Sequence, residues 1–426
     1  MFFPEKRLFF QERSSLFDFA FDANEQSRLF YSRRIGLQDG RAVRIYGGAR
    51  LVGRIGDWDL GFLDMQTGPL GAIPSANFGV LRVRRRIFNA YSTIGAIVTS
   101  KIGADGSYNE AYGLDLTVRP FGDDFIYAKW AQTFKNGARN DPLSLDPSRI
   151  FVSWQRLVTK GLGYAFTYSR AGADYDPEMG FEMRQNFSKY LVYLTYGWMP
   201  GERSAFFNHY ASVCAYAFRR NVDGSMESAF VFPAWNVFMK SGLWFYAGPT
   251  ASYENVTEAF SLAEGVTVPR GVYRFLGLSG VLQLPPGRPF GAKIETEAGR
   301  FYDGRRISLS VAPSWHVSAG LELGGFLQVN RVDFPSRGRR FDGQVASLRL
   351  LSMLDTKFSA SAFIQFNSAA HGVMSNFRLR YNPREGVDLY LVYNEGLNTD
   401  REREIPELPR SGGRTVMLKC AYTFNI

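Results

Sequence analysis

The closing residues of the chain, RTVMLKCAYTFNI, divide between two faces. Val416, Leu418, Cys420, Tyr422, Phe424 and Ile426 fall on one, and Met417, Lys419, Ala421, Thr423 and Asn425 on the other. A period of two belongs to an extended strand whose sides meet different surroundings. The period recurs upstream. Tyr112, Leu114, Leu116 and Val118 oppose Gly113, Asp115, Thr117 and Arg119, and Leu162, Tyr164, Phe166 and Tyr168 oppose Gly163, Ala165, Thr167 and Ser169. Tyr190, Val192, Leu194, Tyr196 and Trp198 share a face, as do Phe358, Ala360, Ala362, Ile364 and Phe366, and then Val387, Leu389, Leu391 and Tyr393. No helical period of comparable length competes.

Many of these segments run about ten residues, where globular strands usually have five or six. A strand that crosses a bilayer obliquely needs about ten. One face carries bulky aliphatics with Tyr and Trp near the strand ends, and the other is small and wet, which suits lipid outside and a lumen inside. A soluble sandwich would share the alternation but not the length. The connections alternate as well. Short turns such as Gly56-Asp57, Pro200 to Arg203 and Ala319-Gly320 lie between longer polar loops, among them Lys135 to Ser148, Ala171 to Asn186, Glu254 to Gly271, Val332 to Gly343 and Glu395 to Gly413. That rhythm predicts short periplasmic turns and long extracellular loops.

From Ala42 onward the alternation yields 21 strands. A single-chain bacterial barrel whose ends share a side needs an even count, so RLFYSRRIGL, Arg28 to Leu37, is read as one more. The expected fold is all-β: a closed antiparallel transmembrane β-barrel over residues 28–426, with about 22 strands or alternatively 20. Residues 1–27 form an N-terminal segment that lies in the periplasm or plugs the lumen. Closure follows because an open sheet edge in hydrocarbon leaves backbone donors and acceptors without partners.

Composition narrows the picture. No uninterrupted apolar stretch of about 18 residues occurs, which removes a transmembrane helix but not strands. Aromatic residues make up 15%, more than a chain this polar needs for an ordinary core. The formal charge of +10 is spread along the strands, which argues against nucleic acid as a partner. Cys214 and Cys420 lie far apart and give no zinc or disulfide pattern. The start, MFFPEKRLFF, is charged where an export signal is apolar, so the natural N-terminus is expected further upstream.

Candidate chemistry is sparse. His209, His316 and His371 are the three histidines, and His316 sits in APSWHVSAG with Ser314 and Ser318 on its own face. Side chains two apart on one strand are too widely spaced for a nucleophile and base, and no GxSxG, HExxH or Walker-type sequence occurs. A barrel-embedded hydrolase is therefore the lesser alternative, and no enzyme activity, catalytic residue, metal or cofactor is expected. Arginine is more suggestive. Arg82, Arg84 and Arg86 share one face of GVLRVRRRI, and Arg119, Arg349, Arg378 and Arg380 take polar faces elsewhere. An Arg facing lipid at mid-bilayer costs about 2–4 kcal/mol, so these point inward. There they either favour anionic solutes or knit the lumen to Asp115, Glu295, Glu297 and Asp388.

Two resemblances add to this. Lys419, Ala421, Phe424 and Ile426 resemble the C-terminal insertion signal of outer-membrane proteins, which implies the outer-membrane assembly machinery and outer-membrane lipid as partners. FFPEKRLFF, FYSRRIGL, ARLVGRIGDWDLGFLDMQT and FGVLRVRRRIF followed by STIGAIVTSKIG resemble a barrel domain of unknown function. That domain follows a family-nine-like carbohydrate-binding module in many Gram-negative bacteria, and the resemblance centres on Ser32 to Gly36. It implies a bacterial outer-membrane location and a carbohydrate-binding domain, missing from this chain, as partner. The expected function is a pore or plugged conduit for polar solutes or exported polymer, linked to carbohydrate handling, with a non-conducting anchor for such a domain as the alternative.

Overall fold

The computed structural model describes residues 5, 7–21, 27–38, 40–138, 140–263, 265–285 and 287–422. Among them are 21 strands of 9 to 15 residues, a four-residue α-helix at Leu8–Gln11 and three short 3-10 turns. No helix is long and apolar enough to cross a membrane. The chain divides into two compact units, residues 1–195 with 214–229 and residues 196–213 with 230–426.

In the first unit eight strands follow one another: β1 (Ile45–Ile55), β2 (Trp58–Thr67), β3 (Ala76–Arg86), β4 (Thr93–Gly103), β5 (Tyr108–Val118), β6 (Asp124–Lys135), β7 (Ser148–Arg156) and β8 (Gly161–Ala171). Each pairs antiparallel with the next. β9 (Phe187–Trp198), β10 (Phe206–Arg220) and β11 (Met226–Met239) each contribute residues to both units. The second unit continues with β12 (Trp244–Val256), β13 (Gly271–Gln283), β14 (Phe290–Phe301), β15 (Gly304–Ser318) and β16 (Leu321–Phe334). It ends with β17 (Arg339–Met353), β18 (Phe358–Asn367), β19 (Gly372–Arg384), β20 (Val387–Asn398) and β21 (Ser411–Tyr422), again antiparallel throughout.

Register turns the period of two into separate surfaces. In the second unit Phe290, Trp315, Leu323, Leu350, Ala362, Phe377, Tyr393 and Val416 are successive cross-strand partners, an unbroken apolar row over eight strands. One residue along, Gly291, Ser314, Gly324, Arg349, Phe363, Asn376, Asn394 and Thr415 form a largely polar row on the other face. The apolar face stays open: Leu348 is 56% exposed and Leu418 77%. In the first unit Leu51, Leu81, Val98 and Leu114 are exposed in the same way. So much unburied aliphatic surface is what water penalises and hydrocarbon accepts. Aromatics gather at strand ends, where Trp198, His209 and Trp235 stack with centroids 5.3–5.5 Å apart.

Two expectations are corrected. The 22nd strand, Arg28 to Leu37, does not form: only its ends are extended, Ser27–Arg28 against Phe181–Glu182 and Leu37–Gln38 against Arg41–Ala42, and Ser32–Arg34 between them is a 3-10 turn. Leu29, Phe30 and Ile35 are buried instead, a spacing with no two-faced alternation. The sheet therefore starts at Ile45 with 21 long strands, the number read directly from the pattern after Ala42. The second correction concerns Val332 to Gly343. Here β16 and β17 run on to a tight turn at Pro335–Arg337, because Val332, Phe334 and Phe341 bury themselves against the short hairpin of Phe260–Ala263 and Val266–Val268.

Candidate functional site

The polar face of the first unit is covered by the chain's own N-terminal segment. Phe17, Phe19 and Phe21 in the run FDFAF, with Leu29, Phe30 and Ile35, pack on Leu63 and Met65 of β2, Phe78 and Val80 of β3, Ile97 of β4, Ala111 of β5 and Ala131 of β6. Phe19 and Phe21 are fully buried, and burial of one such ring is worth about 1.5–3 kcal/mol. The wall makes room for them. A Cβ on Gly61 would meet the Phe17 ring at 2.8 Å, and one on Gly113 would meet Phe19 at 2.8 Å and Leu29 at 2.9 Å. Glycine inside a strand weakens it and marks the close approach of something else, here the segment.

Cations of the wall grip the segment's backbone. Arg50 of β1 donates to the Phe9 carbonyl at 2.8 Å and also to that of Glu12. Arg82 Nε donates to the Leu16 carbonyl at 3.1 Å, and Lys129 Nζ to that of Ala20 at 2.7 Å. The same cations lie near the rings, Arg50 at 5.4 Å from the Phe17 centroid, Arg82 at 5.6 Å and Lys129 at 5.7 Å from Phe19, and Arg149 at 4.9 Å from Phe21. Such pairs gain from the ring quadrupole where water is excluded. Further along, Ser27 Oγ donates to Glu182 at 2.6 Å, and Glu182 takes Arg149 at 2.7 Å, with both charged groups buried.

The segment also clasps itself. Glu5 accepts from Arg7 at 2.7 Å and from Ser32 Oγ at 2.6 Å, while Arg7 donates to the carbonyls of Ile35 and Ser32 at 2.8 and 2.9 Å. Burial pushes the Glu5 carboxyl up, but the hydrogen bonds from Arg7 and Ser32 together outweigh it and bring it to about 2. Arg34 Nε reaches the Gly180 carbonyl at 2.8 Å. Glu5 and Arg7 of FFPEKRLFF thus engage Ser32 and Ile35 of FYSRRIGL.

The arginines expected to point inward are mostly paired. Arg82 chelates Asp115 across the intervening β4, with Nη2 to Oδ2 at 3.0 Å. Arg84 meets Asp59 at 2.9 Å, and Arg86, at the strand end, lies 3.9 Å from Asp57. Glu297 pairs with Arg306 across strands, whereas Glu295 takes Lys293 of its own strand at 2.6 Å. Arg380 binds Asp388 at 2.7 Å. Arg349 and Arg378 stand exposed on the polar face of β17 and β19, outside any ion pair among the described residues. Arg119 is a correction: it lies just past β5 in a turn, bonded to Gly122 and Asp123, because the strand ends at Val118. Lys419 and Ala421 sit on the polar face of β21, and Phe424 and Ile426 fall outside the described residues.

The histidines assemble no catalytic group. His316 Nδ1 faces Glu322 at 3.9 Å, His371 faces Asp400 at 3.8 Å, and no hydrogen bond joins His316 to a serine among the described residues. No group of three His, Cys, Asp or Glu side chains that could hold a metal occurs there either. Cys214 is half-buried and Cys420 exposed, both as free thiols.

Comparison with known proteins extends the fold. No family model matches, and no curated protein matches. Among solved structures the copper transporter OprC is similar over 90% of this chain and 80% of its own, at 13% identity and a TM-score of 0.50. The ferric-catecholate import receptor Fiu from E. coli K12 shares 8% identity at a TM-score of 0.43, over 88% of this chain and 72% of its own. The siderophore receptor PirA from Pseudomonas aeruginosa shares 10% at 0.43, over 83% and 71%. The OprC likeness is one of fold: a large antiparallel all-β sheet.

Proposed function

We propose that this chain is an outer-membrane β-barrel whose 21 strands close around a lumen, and that it forms a conduit plugged by its own N-terminal segment. The observation that carries the reading is the grip of Arg50, Arg82 and Lys129 on the carbonyls of Phe9, Glu12, Leu16 and Ala20. A polar wall that spends its cations on a resident segment has a lumen to fill. The apolar rows supply the complementary face toward lipid, and closure removes a sheet edge that hydrocarbon would penalise. The solute is small and polar, admitted when the segment shifts. The family resemblance belongs to the same proposal: a barrel domain that works with a carbohydrate-binding domain, inserted by the outer-membrane assembly machinery through its C-terminal strand.

Reconstitution into planar bilayers tests it. The full chain is expected to conduct rarely or in small steps, and a variant lacking residues 5–35 in larger, stable steps. Equal silence of both would favour a non-conducting anchor, and equal conductance would remove the segment's role as a plug.

A further inference from the structure

The polar face of the first unit carries one apolar patch. Phe151 of β7, Phe187, Leu191 and Tyr193 of β9, and Cys214 and Phe218 of β10 lie on that side, among Ser153, Gln155, Thr167 and Ser169 and the cations Arg149 and Lys189. In β9, therefore, both faces carry apolar side chains: Tyr190 and Leu194 are exposed on one, and Phe187, Leu191 and Tyr193 stand on the other around Lys189. Lipid contact accounts for the first face only. The second lines a cavity of about 390 Å3, to which Phe21 of the N-terminal segment, Leu157 and Met183 also contribute.

The polar members are cationic in excess. Arg149, Arg184 and Lys189 line the cavity with Glu182, and Glu227 meets Arg184 at 2.6 Å, so three cations face two carboxylates. Arg184 lies 3.8 Å over the Phe218 ring and remains partly exposed, at the rim where the apolar wall begins. An apolar chamber of this size with charge at one margin is the usual form of a small-molecule site.

We propose that this chamber binds a linear amphiphile, an acyl chain lying along Phe151, Leu191, Tyr193 and Phe218 with its anionic end toward Arg184 and Lys189. This deepens the conduit reading and rests on it, since the chamber then opens on the lumen beside the plug. Each buried methylene contributes about 0.8 kcal/mol, so affinity rises with chain length until the chamber is full. The chain comes from a free fatty acid or from a membrane lipid, and the chemistry of the two is shared.

Cys214 reports on occupancy. In the full chain carrying Cys420→Ser, held in lipid nanodiscs, the maleimide-labelling rate of Cys214 is measured against hexadecanoate, hexadecanol and octanoate. Hexadecanoate is expected to slow labelling at least tenfold, hexadecanol less, and octanoate little. Labelling that is already slow in nanodiscs and fast in delipidated protein in amphipol identifies a membrane lipid as the occupant. Leu191→Asp is expected to abolish protection, and Leu191→Ser to weaken it if the aspartate variant loses its folded, heat-modifiable gel mobility. Labelling indifferent to every chain length and to delipidation overturns the proposal, and equal protection by acid and alcohol overturns the cationic end. Bilayer conductance of the same protein is read separately, so a failed chamber and a failed conduit give different records.

Discussion

Arg82 and Asp115 meet directly above Gly95, whose missing side chain is the space they occupy. A Cβ there would stand 2.6 Å from Asp115 Oδ1 and 2.7 Å from Arg82 Nη1. The register explains it: Gly95 of β4 lies between Arg84 of β3 and Asp115 of β5, so Arg82 must lean across β4 to reach its partner. The same guanidinium holds the Leu16 carbonyl, and the pair therefore ties β3 and β5, across β4, to the N-terminal segment.

Gly95→Val places carbon atoms where the ion pair sits. The expected outcome is a loosened N-terminal segment in a sheet that still forms, seen as faster hydrogen exchange at residues 14–21 and more frequent conducting steps than the parent chain shows.

Asp115→Ala leaves Arg82 buried without its counter-charge. Breaking a buried pair from one side costs about 3–5 kcal/mol, so unfolding in detergent and urea should shift by an amount of that order. Replacing both residues, as in Arg82→Met with Asp115→Leu, is expected to recover most of the loss while still freeing the Leu16 carbonyl. Stability and plug retention then separate, which a single variant cannot show.

The Glu5 clasp gives a pH dependence of known sign. Its carboxyl is held at about 2, below the ordinary 4.5. A depressed carboxyl contributes stability that is present above its unfolded value and lost as pH falls through the folded one. Docking of residues 27–38 should thus be intact at neutral pH and weaken between about pH 4.5 and 2. Glu5→Gln is expected to show the weakened exchange protection already at pH 7, with no further change on acidification.

The two faces of β17 should answer differently to the same charge. Leu348→Arg puts a guanidinium on the apolar row, at a cost of about 2–4 kcal/mol if the residue lies near mid-bilayer. Ser347→Arg adds it beside Arg349 on the polar face and is expected to cost little. Equal destabilisation in folding titrations into lipid vesicles would contradict the assignment of the faces.

Most of the sheet was legible because alternation is local: each strand from Ile45 onward carries its own two-faced pattern. Pairing of Arg82 with Asp115 and of Arg380 with Asp388 was one of the two roles that charge on the polar face left open. What failed was reasoning from parity, which required an even number and chose Arg28 to Leu37, although Leu29 and Phe30 are adjacent and both buried. The docking of the N-terminal segment was half visible. FDFAF alternates like a strand, and its destination was marked only by Gly61 and Gly113 in distant strands, which reveal close approach solely once the register is known. In β9 the two faces differ less, because Phe187, Leu191 and Tyr193 stand beside Lys189 on the side opposite Tyr190 and Leu194.

The N-terminal segment is tied to itself as firmly as to the wall. Ser32 is fastened to Glu5, Ile35 to Arg7, Phe30 lies against Phe17, and Leu29 N–H donates to the Phe19 carbonyl. A tail without such fastenings would slide out residue by residue and widen the passage by degrees. A parcel bound with its own string has to shift as one body, and the conduit proposed above would then open and close abruptly.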